Sequence, residues 1–243
     1  MAFLTFRGGV HPYDGKELSK EKPVREYFPG KEMVYPLSQH IGAPAQPVVK
    51  KGDYVLAGQK IAEMGGFVSA PIHSSVSGVV KELKKVRNNV GAMVDAIVIE
   101  NDEKYETVEF TPIQSLKELT KEEIIGRIKE AGVVGFPTHV KLSPKEPDKI
   151  EYVLVNGAEC EPYLTSDYRR MLEQPDWIIG GLKCILKLFD HAKGYICIED
   201  NKPDCIEKLT ELVKDEPKIT VCPLLTKYPQ GGERSIIYAV TGR

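Results

Sequence analysis

The apolar positions of this chain change their period twice. Over residues 1–32 they keep none: the stretch is Gly, Pro and charge, from Phe6-Arg-Gly-Gly-Val-His-Pro-Tyr-Asp-Gly15 to Pro29-Gly30. A segment with neither helical nor alternating pattern has no apolar face of its own, so it predicts an extended arm laid on a neighbouring surface. From Met33 to about Glu100 short apolar runs recur between Gly and Pro: Met33-Val-Tyr-Pro, Pro47-Val-Val-Lys-Lys-Gly-Asp-Tyr-Val, Gly58-Gln-Lys-Ile-Ala, Ser77-Gly-Val-Val and Ala96-Ile-Val-Ile. Strands at this spacing with turn chemistry between them predict a small all-β unit over residues 33–110.

After a polar linker the period lengthens. Thr120-Lys-Glu-Glu123 has capping-box spacing, Ile124, Ile125 and Ile128 share one helical face, and Ala131-Gly132 ends the helix. Strands are then expected at 152–155, 194–198 and 218–222. Helices are expected over roughly 175–189, from Pro203 to about Lys214 with Asn201 as cap, and from near Glu233. Strands separated by helices of this length imply a Rossmann-like parallel sheet with right-handed crossovers. The fold expected is therefore a two-part α+β chain: arm 1–32, β-barrel 33–110, and α/β domain 111–243. In an open α/β sheet ligands are held at the carboxyl ends of the strands. The loops 156–163, 199–202 and 223–233 should converge there, bringing Asn156, Glu159, Glu161, Glu199 and the Gly231-Gly232 turn around one crevice.

Composition narrows the classes. With 33 basic and 35 acidic residues the net charge is −2, which gives no electrostatic case for nucleic acid. The apolar runs fall far short of the roughly 20 residues of a membrane span, and the N-terminus has no apolar signal core. A place in the cytosol, or peripheral on the cytoplasmic face of a membrane, is expected. Five cysteines with no CxxC argue against a disulfide framework, a zinc ribbon or an iron–sulfur cluster. Cys184 and Cys197 read as small core residues, while Cys160 stands apart inside a Glu-Cys-Glu loop.

Three stretches carry candidate chemistry: Gly132-Val-Val-Gly-Phe-Pro-Thr-His-Val-Lys141, Asn156-Gly-Ala-Glu-Cys-Glu-Pro162, and Gly231-Gly-Glu233 ahead of the last helix. Glycines admit a flat or phosphorylated ligand close to the backbone, a lysine supplies charge, and a helix N-terminus favours an anion. No GxGxxG, Walker or Ser/His/Asp pattern is present, so an ordinary nicotinamide, P-loop or hydrolase reading fails. A flavin and dinucleotide pocket fits better.

Two resemblances follow from these residues. Lys51-Gly-Asp-Tyr-Val-Leu-Ala-Gly-Gln-Lys-Ile61, Val68-Ser-Ala-Pro-Ile72 and Ser77-Gly-Val-Val80 resemble the flattened barrel (barrel-sandwich hybrid) of biotinyl and lipoyl carriers. The tip reads Met64-Gly-Gly-Phe67, with no lysine to acylate, so the barrel is expected to be a scaffold. His73 and Ser74, Ser75 and Ser77 are expected as surface-loop groups. The Gly132–Lys141 and Asn156–Pro162 loops resemble the flavin loops of the FMN-carrying, NADH-oxidising subunit of respiratory complex I. Phe6-Arg-Gly-Gly-Val-His-Pro12, the carrier-like barrel and Lys227-Tyr-Pro-Gln-Gly-Gly-Glu233 are similar to the RnfC family, whose members are peripheral subunits of Rnf electron-transport complexes. That likeness spans essentially the whole chain.

The resemblance implies an electron-transfer subunit that binds FMN and NAD(H) and docks on membrane-bound Rnf subunits. Gly132 and Gly135 would give the isoalloxazine backbone room, Lys141 and Asn156 would bind FMN polar edges, and Glu159 the ribityl region. Glu161 and Phe136 would face the nicotinamide, and Gly232 and Glu233 would complete the cradle. Full-length family members add 4Fe-4S cluster motifs beyond the point where this chain ends, at Thr241-Gly-Arg243. The chain is thus expected to be a truncated form that does not relay electrons alone. Two other readings share these motifs: a docking scaffold with an empty crevice, and a flavoprotein of the cobalamin-reductase family of microcompartments.

Overall fold

The structure is a computed structural model that describes residues 4–113, 115–134 and 138–243. Two compact units emerge: residues 27–145, and residues 1–26 together with 146–243. No described helix is long and apolar enough to cross a membrane.

The 27–145 unit is built from antiparallel strands. They are β1 (Glu32–Pro36), β2 (Gln46–Pro47), β3 (Tyr54–Val55), β4 (Lys60–Glu63), β5 (Ile72–His73), β6 (Gly78–Arg87) and β7 (Met93–Asn101). One sheet has the order β1-β7-β6-β3, the other β2-β4-β5. β7 is central to the larger sheet, and Ala96–Ile99 are wholly buried in succession. The core joins both sheets through Tyr35, Val55, Ile61, Ile72, Val80 and Ile97. Ser74 and Ser77, expected at the surface, are buried. Ser74 Oγ donates to the Val76 carbonyl (2.6 Å) and Ser77 Oγ to Asp102 (2.7 Å), so both close polar turns that the β core covers.

Helix α1 (Lys121–Glu130) starts with the expected capping box: the Thr120 hydroxyl accepts from Glu123 N–H and the Glu123 carboxylate from Thr120 N–H. It ends in a Schellman turn, with Gly132 N–H on Lys129 O (3.1 Å) and Val133 N–H on Ile128 O (3.4 Å). Gly132 has φ +65°, and a Cβ there would lie 2.7 Å from Pro71 O. The glycine is required by its own helix end. A short α2 (Thr138–Lys141) follows.

The second unit alternates as its pattern predicts: β8 (Tyr152–Gly157), α3 (Ser166–Glu173), α4 (Pro175–Leu186), β9 (Lys193–Glu199), α5 (Pro203–Leu212), β10 (Ile219–Leu224) and α6 (Glu233–Thr241). The sheet is parallel with order β10-β9-β8. Central β9 buries Ile196, Cys197 and Ile198 completely, as a parallel strand covered on both faces must. Along its β10 edge the arm adds pairing: Leu4 N–H donates to Pro223 O (3.1 Å) and Leu225 N–H to Leu4 O (2.9 Å). Val10 and Tyr228 exchange a second pair at 2.9 and 2.8 Å.

Two local expectations are corrected. Helix α3 was not anticipated, and the residue capping α5 is Lys202, not Asn201. Asn201 is otherwise engaged: its Nδ2 donates to Asp14 Oδ2 (3.2 Å) and its Oδ1 accepts from Lys202 Nζ (2.8 Å).

Candidate functional site at the carboxyl edge of the parallel sheet

All three strands deliver their carboxyl ends to one edge, where the exit loops are hydrogen-bonded to one another. As β8 ends, Asn156 Oδ1 accepts from Ala158 N–H (3.3 Å) and its Nδ2 donates to Gly231 O (2.9 Å). A Cβ on Gly231 would meet Asn156 Oδ1, Ala158 Cβ and Cys160 Sγ at 3.2–3.3 Å. The Gly-Gly turn therefore lies directly against the Glu-Cys-Glu loop. Gly232 is the N-cap of α6 and has no side chain to bond the first-turn amides. Such an end suits an anion.

Behind these loops lies a layer of buried charge. Where β9 ends, Glu199 is 1% exposed and accepts from Lys227 N–H (3.3 Å). Lys202 is fully buried, 3.5 Å from Glu199, and its Nζ donates to Ala158 O (2.6 Å). Burial is the larger influence on both: it pushes the Glu199 carboxyl up and the Lys202 ammonium down, each opposed by the partner's charge. Lys227 Nζ donates to the carbonyls of Phe6 and Gly8 and stands 3.9 Å from the Phe6 ring centre. Gln230 is also fully buried; its Oε1 accepts from Thr5 Oγ1 (3.3 Å), while its Nε2 has no partner among the described residues. An orphaned buried amide N–H invites an acceptor.

The Glu-Cys-Glu loop turns through left-handed backbone at Glu159 (φ 46°) and Tyr163 (φ 68°). The Glu159 carboxylate is buried and spent on α3: Asp167 N–H donates to Oε1 (2.7 Å) and Tyr168 N–H to Oε2 (3.3 Å). Burial raises its pKa, while these amides and Lys16, 4.0 Å away, work against that rise. Glu161 is exposed and Cys160 half-buried.

Of the residues singled out from the sequence, Asn156, Glu159, Glu161, Gly232 and Glu233 belong to this edge. Gly132 and Lys141 belong to the 27–145 unit, and Gly135 and Phe136 lie outside the described residues. The sequence reading overlooked Lys16, Lys202, Lys227 and Gln230, every one of them buried. Lys202 and Lys227 do sit in strand-exit loops, which was a usable signal, but a lysine there reads as solvated. Among the described residues no group of three or more His, Cys, Asp or Glu is arranged to hold a metal.

The thiols make this burial testable. Cys205 is wholly buried, and burial pushes its thiol up to about 12. Cys197 and Cys222 face each other across β9 and β10. Iodoacetamide at pH 8, with peptide mapping, should modify Cys160 first and leave Cys197, Cys205 and Cys222 intact until the protein unfolds. Early labelling of Cys205 would contradict the packing of α5.

Comparison with known proteins gives consistent matches. Residues 4–104 match the family described as RnfC Barrel sandwich hybrid domain, and residues 124–243 the family described as Nuo51 FMN-binding domain. The chain is 46% identical to the RnfC-type component of the proton-translocating ferredoxin:NAD(+) oxidoreductase complex of Clostridium ljungdahlii, covering 98% of this chain and 53% of that protein. It is 42% identical to the counterpart in the Na(+)-translocating complex of Acetobacterium woodii, covering 98% and 55%. With the corresponding component of the ion-translocating oxidoreductase complex of Haemophilus influenzae it shares 35% identity, covering 98% and 37%. The chain thus spans about half the length, or less, of these relatives.

Proposed function

Because the chain belongs to the RnfC family, joining its barrel-sandwich hybrid domain to a Nuo51-type FMN-binding domain, we propose that it forms the flavin- and NAD(H)-binding part of an electron-transfer subunit. In this reading it works at the cytoplasmic face of a membrane, docked on the integral subunits of its complex. The observation that carries the reading is the joined carboxyl edge, where Asn156 ties the β8 exit to the Gly231-Gly232 turn at the head of α6.

The donors gathered there suit FMN, whose phosphate and ring carbonyls are acceptors: first-turn amides of α6, the unpartnered Gln230 Nε2, and the second hydrogen of Asn156 Nδ2. Bound FMN would supply the chemistry the side chains lack, taking a hydride from NADH and passing electrons on singly. The chain's own part is to bind and orient. Asn156 holds a polar edge of the flavin, Gly232 and the head of α6 admit the anionic end, and exposed Glu161 faces the nicotinamide. Glu159 acts indirectly, because its carboxylate belongs to α3 and only its backbone remains to shape the ribityl side. The family likeness also assigns flavin contacts to Gly132, Gly135, Phe136, Lys141 and Glu233. Residues 33–110 serve as scaffold.

The test is titration of the purified chain with FMN, followed by flavin fluorescence with and without NADH. Saturable quenching is expected, about tenfold weaker in Asn156→Ala and in Lys141→Ala, the loss of one good hydrogen bond each. A folded chain that quenches no FMN would sink this reading and leave a docking scaffold in its place.

A further inference from the structure

Lys16 comes from the N-terminal arm, at the start of the helical turn Lys16–Leu18, and is 5% exposed. Its Nζ donates to three backbone carbonyls of one loop: Glu159 O at 2.8 Å, Glu161 O at 3.1 Å and Leu164 O at 2.6 Å. An ammonium has three hydrogens, so each finds an acceptor and none is left over. The adjoining backbone grips the same loop, with Tyr163 N–H on Asp14 O at 2.6 Å. From the other side Lys202 Nζ takes Ala158 O.

Four carbonyls between residues 158 and 164 are therefore drawn onto two buried ammonium groups. This fixes the peptide planes of the loop from within. It also explains how Glu159 and Tyr163 stay in left-handed backbone, which costs a non-glycine residue on the order of 1 kcal/mol or more each. A loop with so little apolar contact of its own would otherwise sample many shapes, and a ligand would have to select one.

We propose that Lys16 is a positioning residue for flavin binding: the arm supplies a buried ammonium that holds the Glu159–Leu164 loop in its ligand-accepting shape. The inference rests on the FMN reading above and adds to it that the arm is part of the site's machinery. Lys16 itself touches no flavin.

The experiment compares the full chain with Lys16→Met, Lys16→Gln and Lys16→Arg, at a temperature well below each ligand-free melting midpoint. Met removes every donor, Gln keeps two hydrogens without charge, and Arg keeps both charge and donors. FMN affinity should fall at least about tenfold in Met, less in Gln, and stay within about threefold in Arg. At saturating FMN the visible spectrum of the bound flavin should shift in Met alone, which a loss of stability would not produce. If the Met variant does not fold, Gln against Arg decides. Equal affinity across the folded variants, with FMN bound by all, would overturn the role of Lys16 and leave the FMN reading standing. No binding even by the unaltered chain would remove both.

Discussion

Lys202→Met should lower the stability of the α/β unit by about 3–5 kcal/mol, the usual penalty when one partner of a buried ion pair is removed and the other stays. The methionine fills similar space, so the loss is electrical. Glu199, 1% exposed, keeps its carboxylate with only the Lys227 amide to answer it, and Ala158 O loses its donor. The pH dependence has a definite sign. Burial already holds the Glu199 carboxyl above the usual carboxylate range, and Lys202 is the main charge opposing that rise. Without it the folded-state pKa climbs further, so the folded variant binds a proton that the unfolded chain has released. Its deficit should grow as the pH rises above the ordinary carboxylate value of about 4.5 and shrink as the pH falls back toward it. Glu199→Gln in the same chain should recover part of the loss and flatten this slope. Urea melts at pH 5 and pH 8 decide the matter. A deficit below about 1 kcal/mol at pH 8, or one that grows on acidification, would mean that the pair is not the closed ionic contact seen here.

Such a pair was invisible in the sequence for a physical reason. A lysine is recognised as structural by its partners, and those of Lys16 lie 143 or more positions away along the chain. Helix α3 was missed on similar grounds. Ser166-Asp-Tyr-Arg-Arg-Met-Leu-Glu173 buries only Tyr168 and Met171, too few positions to display a period. Its N-terminus is held by Glu159, from outside the helix, and not by its own Thr165. What was legible is whatever burial writes locally. The three parallel strands begin and end within two residues of expectation, because an apolar run such as Tyr195-Ile-Cys-Ile198 can only be a strand covered on both faces. The capping box of α1 was legible because both partners lie within one turn. The crevice was half legible. Strand order put the exits on one edge, but the ammonium groups that shape the loops there come from residues that read as solvated.

Gly42→Ala should cost the 27–145 unit about 3 kcal/mol or more, while Gly126→Ala in the same unit should gain about 0.5–1 kcal/mol. The substitution is the same and the geometry opposite. Gly42 has φ +101°, and a Cβ there would lie 2.0 Å from Val68 O and 2.8 Å from Val68 C. That carbonyl cannot retreat, because it accepts Ala43 N–H at 2.9 Å and so ties the β1–β2 connection to the Met64–Phe67 turn. Either the turn or the connection must open, and backbone strain is added to the clash. Gly126 lies on the exposed side of α1 with nothing within 4 Å of a new Cβ, so alanine only narrows the freedom of the unfolded chain. Thermal melts should place Gly42→Ala roughly 10 °C or more below the parent and Gly126→Ala a few degrees above it. If Gly42→Ala melts with the parent, the close approach of Val68 to residue 42 is not a feature of the folded protein. The barrel would then lack the contact that holds its tip, and its role as a rigid scaffold for the flavin-binding unit would lose its physical basis.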